Sequence, residues 1–268
     1  MELIAKEKPT VLAGAPLAPA AQAVRVNGLQ LTTDILRLNE CTSVAQIQDA
    51  LGAICVRLGF DGFLFSGRYQ TGGTRYVEHI ASNYSDAWRR RYDEHDLNQA
   101  DPTFAHARTS LSPLVWSERM YATPAQRAYH QEALQHGLAE GATFPVHGRN
   151  GDVARLNLSL ARSDAASRSH VRSMLMWGAL LATMTHEATG RVVRQRSLAA
   201  LPALTRRETE VLDWIAAGKS NWEISRLVEI SEHGVSHHVR NILLKFEVGC
   251  RHQAVAKAIA FGMLRNKV

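Results

Sequence analysis

Two copies of one short device constrain this chain more than anything else in it. Thr205-Arg206-Arg207-Glu208 and Ser220-Asn221-Trp222-Glu223 each put a hydroxyl where a helix begins and a carboxylate three residues on. That is the reciprocal pairing of a capping box, in which hydroxyl and carboxylate each accept an otherwise orphaned backbone N–H. Gly218 lies between them, where a helix end favours a left-handed residue. Ser231 then opens a third helix, whose apolar residues Val235, Val239, Ile242 and Phe246 recur at helical spacing. The other side of that helix carries Ser236, His237, Arg240 and Asn241, which are polar and rich in donors. A fourth helix near 251–262 offers Ala254, Val255, Ala258 and Ile259 for packing. Residues 204–268 therefore read as an all-α four-helix unit whose second and third helices form a helix-turn-helix. The polar face suits the major groove of double-stranded DNA, where side chains must hydrogen-bond base edges and phosphates. Candidate DNA contacts are Lys219, Ser236, His237, Arg240, Asn241 and Lys245. Arg240 leads them, since arginine can bridge both acceptors of a guanine.

Charge is compatible with that partner without proving it. Net charge is +6, and the last 64 residues hold ten Lys and Arg against seven Asp and Glu. Arg191, Arg194, Arg196, Arg206 and Arg207 stand in a stretch without acids. They fit either a solvated linker or phosphate contacts. Cys41, Cys55 and Cys250 are scattered, with no metal-ligand spacing, so reduced thiols in a cytoplasmic protein are expected. The longest apolar run, 174–184, is too short to span a membrane. Residues 1–28 are rich in Ala and Pro and read as a flexible arm rather than a secretion signal.

The first part of the chain alternates differently. Helices are expected near 29–39 and 43–58, then strands at about 60–69 and 74–81 around Gly72-Gly73. Helices follow near 84–95, after Asp101-Pro102, and at 124–138, closing at Gly137. Strands at 141–148 and 152–160 flank the hairpin signal Gly148-Arg149-Asn150-Gly151. A long helix, 166–188, ends a domain spanning 29–188, and 189–203 reads as a linker. Helices, strands and helices in that order predict an α+β fold: an α/β/α sandwich around a mainly antiparallel sheet.

Tyr84, Trp88 and Tyr92 recur every four residues and line one side of one helix. Such a stripe serves a core or a binding site equally well, and Asp101 before Pro102 serves as a helix cap or as a ligand anchor. On the strand at 152–160, period two puts Val153, Arg155, Asn157 and Ser159 on one face and the leucines on the other.

Taken together, the pattern resembles the LuxR-type quorum-sensing transcription factors from about residue 29 onward. The matching stretches are Asn83–Arg89, Tyr92, Asp101-Pro102, Val115-Trp116, Gly137 and Gly141. In the C-terminal part they are Leu204–Glu208, Val211-Leu212, Gly218–Ser220, Glu223-Ile224, Ile230–Glu232, Val235, His238, Asn241-Ile242 and Lys245-Phe246. The resemblance implies a receptor for an N-acyl-homoserine lactone with no cofactor and no enzymatic role. Trp88 would donate to the lactone carbonyl, Tyr84 to the amide carbonyl, and Asp101 would accept the amide N–H. Trp116 would pack on the lactone ring, with Thr103 and Tyr92 as further contributors and Arg89 near the mouth. The active form would be a homodimer, built through the 166–188 helix, on a palindromic operator, with RNA polymerase as a further partner.

Two residues depart from the family pattern. Asn157 stands where relatives commonly carry Ser or Thr. The expectation is an acyl group with a 3-hydroxy or 3-oxo substituent, read partly by Asn157. The alternative turns Arg155 and Arg68 outward, where they merely shorten the tail pocket. Gly234 stands where relatives usually have Thr, at the start of the recognition helix. A phosphorylated response regulator is the competing class, but an early acidic pair and alternating β/α units are missing. An enzyme would need a nucleophile elbow, phosphate loop or metal motif, and none accompanies the scattered histidines. A regulator that keeps the fold without a lactone remains open.

Overall fold

The computed structural model describes residues 10–13, 28–72, 75–148, 151–199, 203–260 and 263–264. The chain divides into two compact units: the first takes in the described residues up to Tyr69 and Glu78–Val192, and the second Val193 onward together with Gln70–Val77.

The first unit is an α/β/α sandwich. Its elements are β1 (Thr10–Ala13), α1 (Gly28–Leu36), α2 (Val44–Arg57), β2 (Gly62–Gly72), β3 (Arg75–Ser82), α3 (Asp86–Glu94), α4 (Pro102–Thr109), β4 (Leu114–Val115), α5 (Pro124–Gln135), β5 (Glu140–His147), β6 (Val153–Leu160), α6 (Ala165–Ser173) and α7 (Leu175–Ala199). The sheet has the order β1-β3-β2-β6-β5-β4. β6 runs antiparallel to both β2 and β5, and β4 antiparallel to β5. β1 lies parallel to β3. The expected flexible arm is thus corrected at Thr10–Ala13, which form an edge strand; the rest of 1–27 lies outside the described residues. So do 73–74 and 149–150, the tips of the two expected hairpins.

Strand register sorts the side chains onto two faces. Phe65 pairs with Leu156, and Phe144 also pairs with Leu156. These three are essentially fully buried. Phe144 packs directly against Gly178 of α7, where a Cβ would collide with its ring. On the opposite face Leu64 and Thr143 flank Asn157, and Ser66 flanks Arg155. Both faces of β6 are buried, which explains why its polar residues cannot be solvent-facing.

Two helical expectations need correction. The long helix is interrupted at Met174, separating α6 from α7. No Pro or Gly marks the break; the Met174 N–H bonds to both His170 and Val171 carbonyls, a local tightening without a sequence signal. The stretch read as a linker from 189 is helical to Ala199, with Thr189, Val192 and Val193 buried.

The second unit contains α8 (Arg206–Ala216), α9 (Asn221–Leu227), α10 (Glu232–Lys245) and α11 (Arg251–Ala260). Both capping boxes form: Thr205 and Ser220 accept from the N3 amides of Glu208 and Glu223, whose carboxylates accept back from the cap N–H groups. Gly218 has φ 79°, ending α8 in the left-handed region. The core joins Val211, Leu212, Ile215, Ile224, Val228, Val235, Ile242 and Phe246 to Ala254 and Ala258 of α11. Ile259, expected to pack, is exposed instead.

Candidate functional site

The site begins with two caps. Ser85 accepts from the Trp88 amide and starts α3, which holds Trp88 and Tyr92 on one side. Asp101 accepts from the Thr103 amide and starts α4 behind Pro102. Asp101 is therefore a helix cap, one of the two roles open to it. It is more than a cap, because its second oxygen faces the sheet.

Tyr84, Trp88, Tyr92, Asp101 and Asn157 line one cavity of about 70 Å³, together with Leu64, Ser66, Ile80, Arg89, Tyr129 and Arg155. Trp88 is 2% exposed and packs against Tyr129 and His136, with centroids 5.7 and 5.1 Å away. Tyr92 meets Trp88 edge-on. Thr103 does not line the cavity; it sits behind Asp101. Trp116 belongs to the same aromatic cluster, but it borders a separate concavity with Tyr121 and His130. Its indole N–H donates to Thr143 at 2.9 Å. The structure thus gathers five of the seven expected ligand contacts around one space, while Thr103 sits behind Asp101 and Trp116 borders the other concavity.

Asp101 is the hub. Its Oδ1 accepts from the Thr103 amide at 2.9 Å and hydroxyl at 2.7 Å. Its Oδ2 accepts from the Tyr92 hydroxyl and from Arg155 Nη1, both at 2.8 Å. Arg155 also donates to Thr103 Oγ1 at 2.9 Å and to Tyr92 at 3.3 Å. Its guanidinium lies 5.1 Å from the Phe104 ring centre. Arg155 is the contributor that sequence reasoning left undecided. The outward orientation holds only for Arg68, which is exposed; Arg155 points inward, 6% exposed. Its period-two relation to Asn157 was the available signal. Tyr129, from α5, had none.

Electrostatics follow from burial. The Tyr84 phenol is pushed well above its ordinary value by burial, and that of Tyr92 by burial and then by Asp101, so both remain neutral donors. Burial would lower the Arg155 guanidinium, but Asp101 and Tyr92 outweigh it and keep it charged. The site therefore offers phenol and guanidinium donors around a carboxylate whose charge is matched.

The second unit presents Ser236, His237 and Arg240 as exposed residues of α10. Ser236 accepts from Asn221 of α9 at 3.1 Å, which ties the two helices together. His237 and Asn241 are 3.2 Å apart. Arg240 has no ion pair among the described residues. Lys219 pairs with Glu223 at 3.1 Å, and Lys245 with Glu208 at 2.6 Å. Burial would raise the Glu208 carboxyl, but hydrogen bonds from Lys245 and Thr205 hold it below its ordinary value. Lys245 thus has a structural partner.

Comparison with known proteins agrees with this division. Residues 43–189 match the family described as Autoinducer binding domain, and 202–258 that described as Bacterial regulatory proteins, luxR family. The transcriptional activator protein VanR of Vibrio anguillarum is 30% identical over 86% of this chain and 97% of its own. The quorum-sensing regulator RhlR of Pseudomonas aeruginosa is 29% identical over 81% of this chain and 92% of its own. Among solved structures, Escherichia coli SdiA superposes with TM-score 0.66 at 22% identity, covering 89% of this chain and 99% of SdiA.

Proposed function

This chain belongs to the LuxR-type quorum-sensing regulators, and from that premise we propose that its sensor unit binds an N-acyl-homoserine lactone and so controls operator binding. The observation that carries this reading is the convergence of Tyr84, Trp88, Asp101 and Asn157 on one cavity. A buried amide needs both an acceptor and a donor, since leaving either unpaired costs roughly 1–3 kcal/mol. Asp101 supplies the acceptor; Tyr84 and Trp88 supply donors for the amide and lactone carbonyls. Asn157 reads a polar substituent near the amide, while Thr103 supports Asp101 from behind and Trp116 supports the strand beside Asn157 through Thr143. The cavity is smaller than the roughly 300–1,000 Å³ usual for enclosed ligands, so binding expands it.

On the DNA side, Arg240, Ser236 and His237 read bases, while Lys219, Asn241 and Lys245 lie toward the backbone. A homodimer, assembled in the cytoplasm through α6 and α7, places two such units on a palindrome with half-sites about 10 base pairs apart. RNA polymerase is a further partner. No helix among the described residues is long and apolar enough to cross a membrane.

A second reading keeps the fold without a lactone, and one observation favours it: Asp101 already accepts four hydrogen bonds, from Tyr92, Thr103 and Arg155. Two measurements separate the readings. Mass spectrometry of small molecules extracted after expression with mixed lactones should find one retained. Operator binding, followed by gel shift, should then require that lactone. Tight operator binding by ligand-free monomer would reject the lactone-gated reading.

A further inference from the structure

Arg155 and Asp101 form an ion pair inside the cavity wall, with side chains 8% and 1% exposed. A buried guanidinium is tolerated only when paired and hydrogen-bonded. Arg155 is paired, but not fully used. Nη1 and Nη2 have partners, whereas Nε–H has none. Asn157 Oδ1, two residues along the same face of β6, also has none. Donor and acceptor are both buried, and their side chains border the same space.

Asp101 is in the opposite condition. Both its oxygens accept two hydrogen bonds, so a ligand amide N–H gains access only by displacing one donor. The Thr103 pair on Oδ1 is local and caps α4. The exchangeable donors are on Oδ2; Arg155 has other acceptors in Thr103 and Tyr92 to hold it, whereas the Tyr92 hydroxyl donates to Asp101 alone among the described residues. Its guanidinium rests on Phe104 and reaches Tyr92 and Thr103 whether or not Asp101 is shared.

We propose that Arg155 determines ligand specificity. The ligand amide takes its place on Asp101 Oδ2, and the freed guanidinium grips a neutral hydrogen-bond acceptor on the acyl arm. That acceptor is a keto or hydroxyl oxygen close to the amide. A carboxylate does not suit the site, because the Asp101 charge stands beside it. A ligand with a plain alkyl chain would still displace Arg155 from Asp101 through its amide and return nothing, leaving buried N–H groups of the guanidinium unpaired. Discrimination thus comes from the unpaired group that the wrong ligand leaves behind. The proposal rests on reading the cavity as a lactone site, and makes Arg155, ahead of Asn157, the residue that reads the substituent.

The test is calorimetric titration of the full chain with lactones of equal chain length bearing a 3-oxo, a 3-hydroxy or no substituent. The wild type should favour the substituted ligands by at least about tenfold. Arg155→Lys keeps a cation for Asp101 but loses the planar fork and its extra N–H groups. It should lose most of that preference while still binding lactones. Arg155→Met should do the same and gain affinity for the unsubstituted chain. Should Arg155→Met fail to fold, the lysine variant carries the test alone. A tenfold preference that survives in Arg155→Lys overturns the proposal, as does a wild type indifferent to the substituent. Failure of every lactone to bind the wild type is a different result: it removes the lactone reading itself, and this proposal with it.

Discussion

Arg155 shows where single residues outrun a sequence pattern. Period two puts it on the Asn157 face, yet that face could have been solvent or cavity, and two arginines on neighbouring strands suggested solvent. Its partner is Asp101, 54 residues away on a different element, and only the folded chain brings them together. Tyr84, Trp88 and Tyr92 were legible because helical spacing is local. The magnitude of the pairing can be checked directly. Asp101→Ala leaves the guanidinium buried without its counter-charge, which should cost about 3–5 kcal/mol. Asp101→Ala combined with Arg155→Met should recover most of this, leaving chiefly the lost cap on α4, about 1 kcal/mol. Urea unfolding of ligand-free protein provides both numbers. Equal instability of the single and double variants would mean that shape, not charge, dominates the site.

At the scale of elements, local chemistry was read well and long-range packing poorly. The capping boxes at Thr205 and Ser220 close within four residues, so each is legible locally, and Lys245 adds to the first only as a second partner of the Glu208 carboxylate. The break at Met174 and the helix reaching Ala199 carry no breaker or cap to announce them. β4 is two residues long and exists because β5 offers it an edge. Two glycines in helices show the contrast in energy. Gly234 lies at N3 of α10, where a Cβ would meet only ordinary contacts with Ser231 and Ile230. Gly234→Ala should therefore stabilise the second unit by about 0.5–1 kcal/mol through lower backbone entropy in the unfolded chain. Gly178 lies in α7 against Phe144, so Gly178→Ala should destabilise the sensor unit by about 1–3 kcal/mol despite alanine's better helix propensity. Thermal unfolding of the two variants should move in opposite directions. A stabilised Gly178→Ala protein would show that α7 packs on the sheet less tightly than the Phe144 contact requires.

At the scale of the molecule, two units with separate cores should unfold as two transitions, and the ligand should touch only one of them. The second unit has its own apolar centre around Val211, Val235, Ile242 and Phe246. The proposed ligand site lies wholly within the first. Mass action then dictates the response: a ligand at a hundredfold excess over its Kd adds about 2.7 kcal/mol to the unit that binds it. Calorimetry with rising lactone should shift the sensor transition upward and leave the DNA-binding transition in place. Operator binding should still depend on lactone if, as proposed, the sensor acts by supplying a dimer and leaves the helix-turn-helix folded. It should also weaken steeply with salt, as phosphate contacts release counterions. A lactone that raised both transitions together would instead mean that the two units unfold as one, and regulation would then have to be sought in the coupling between their cores.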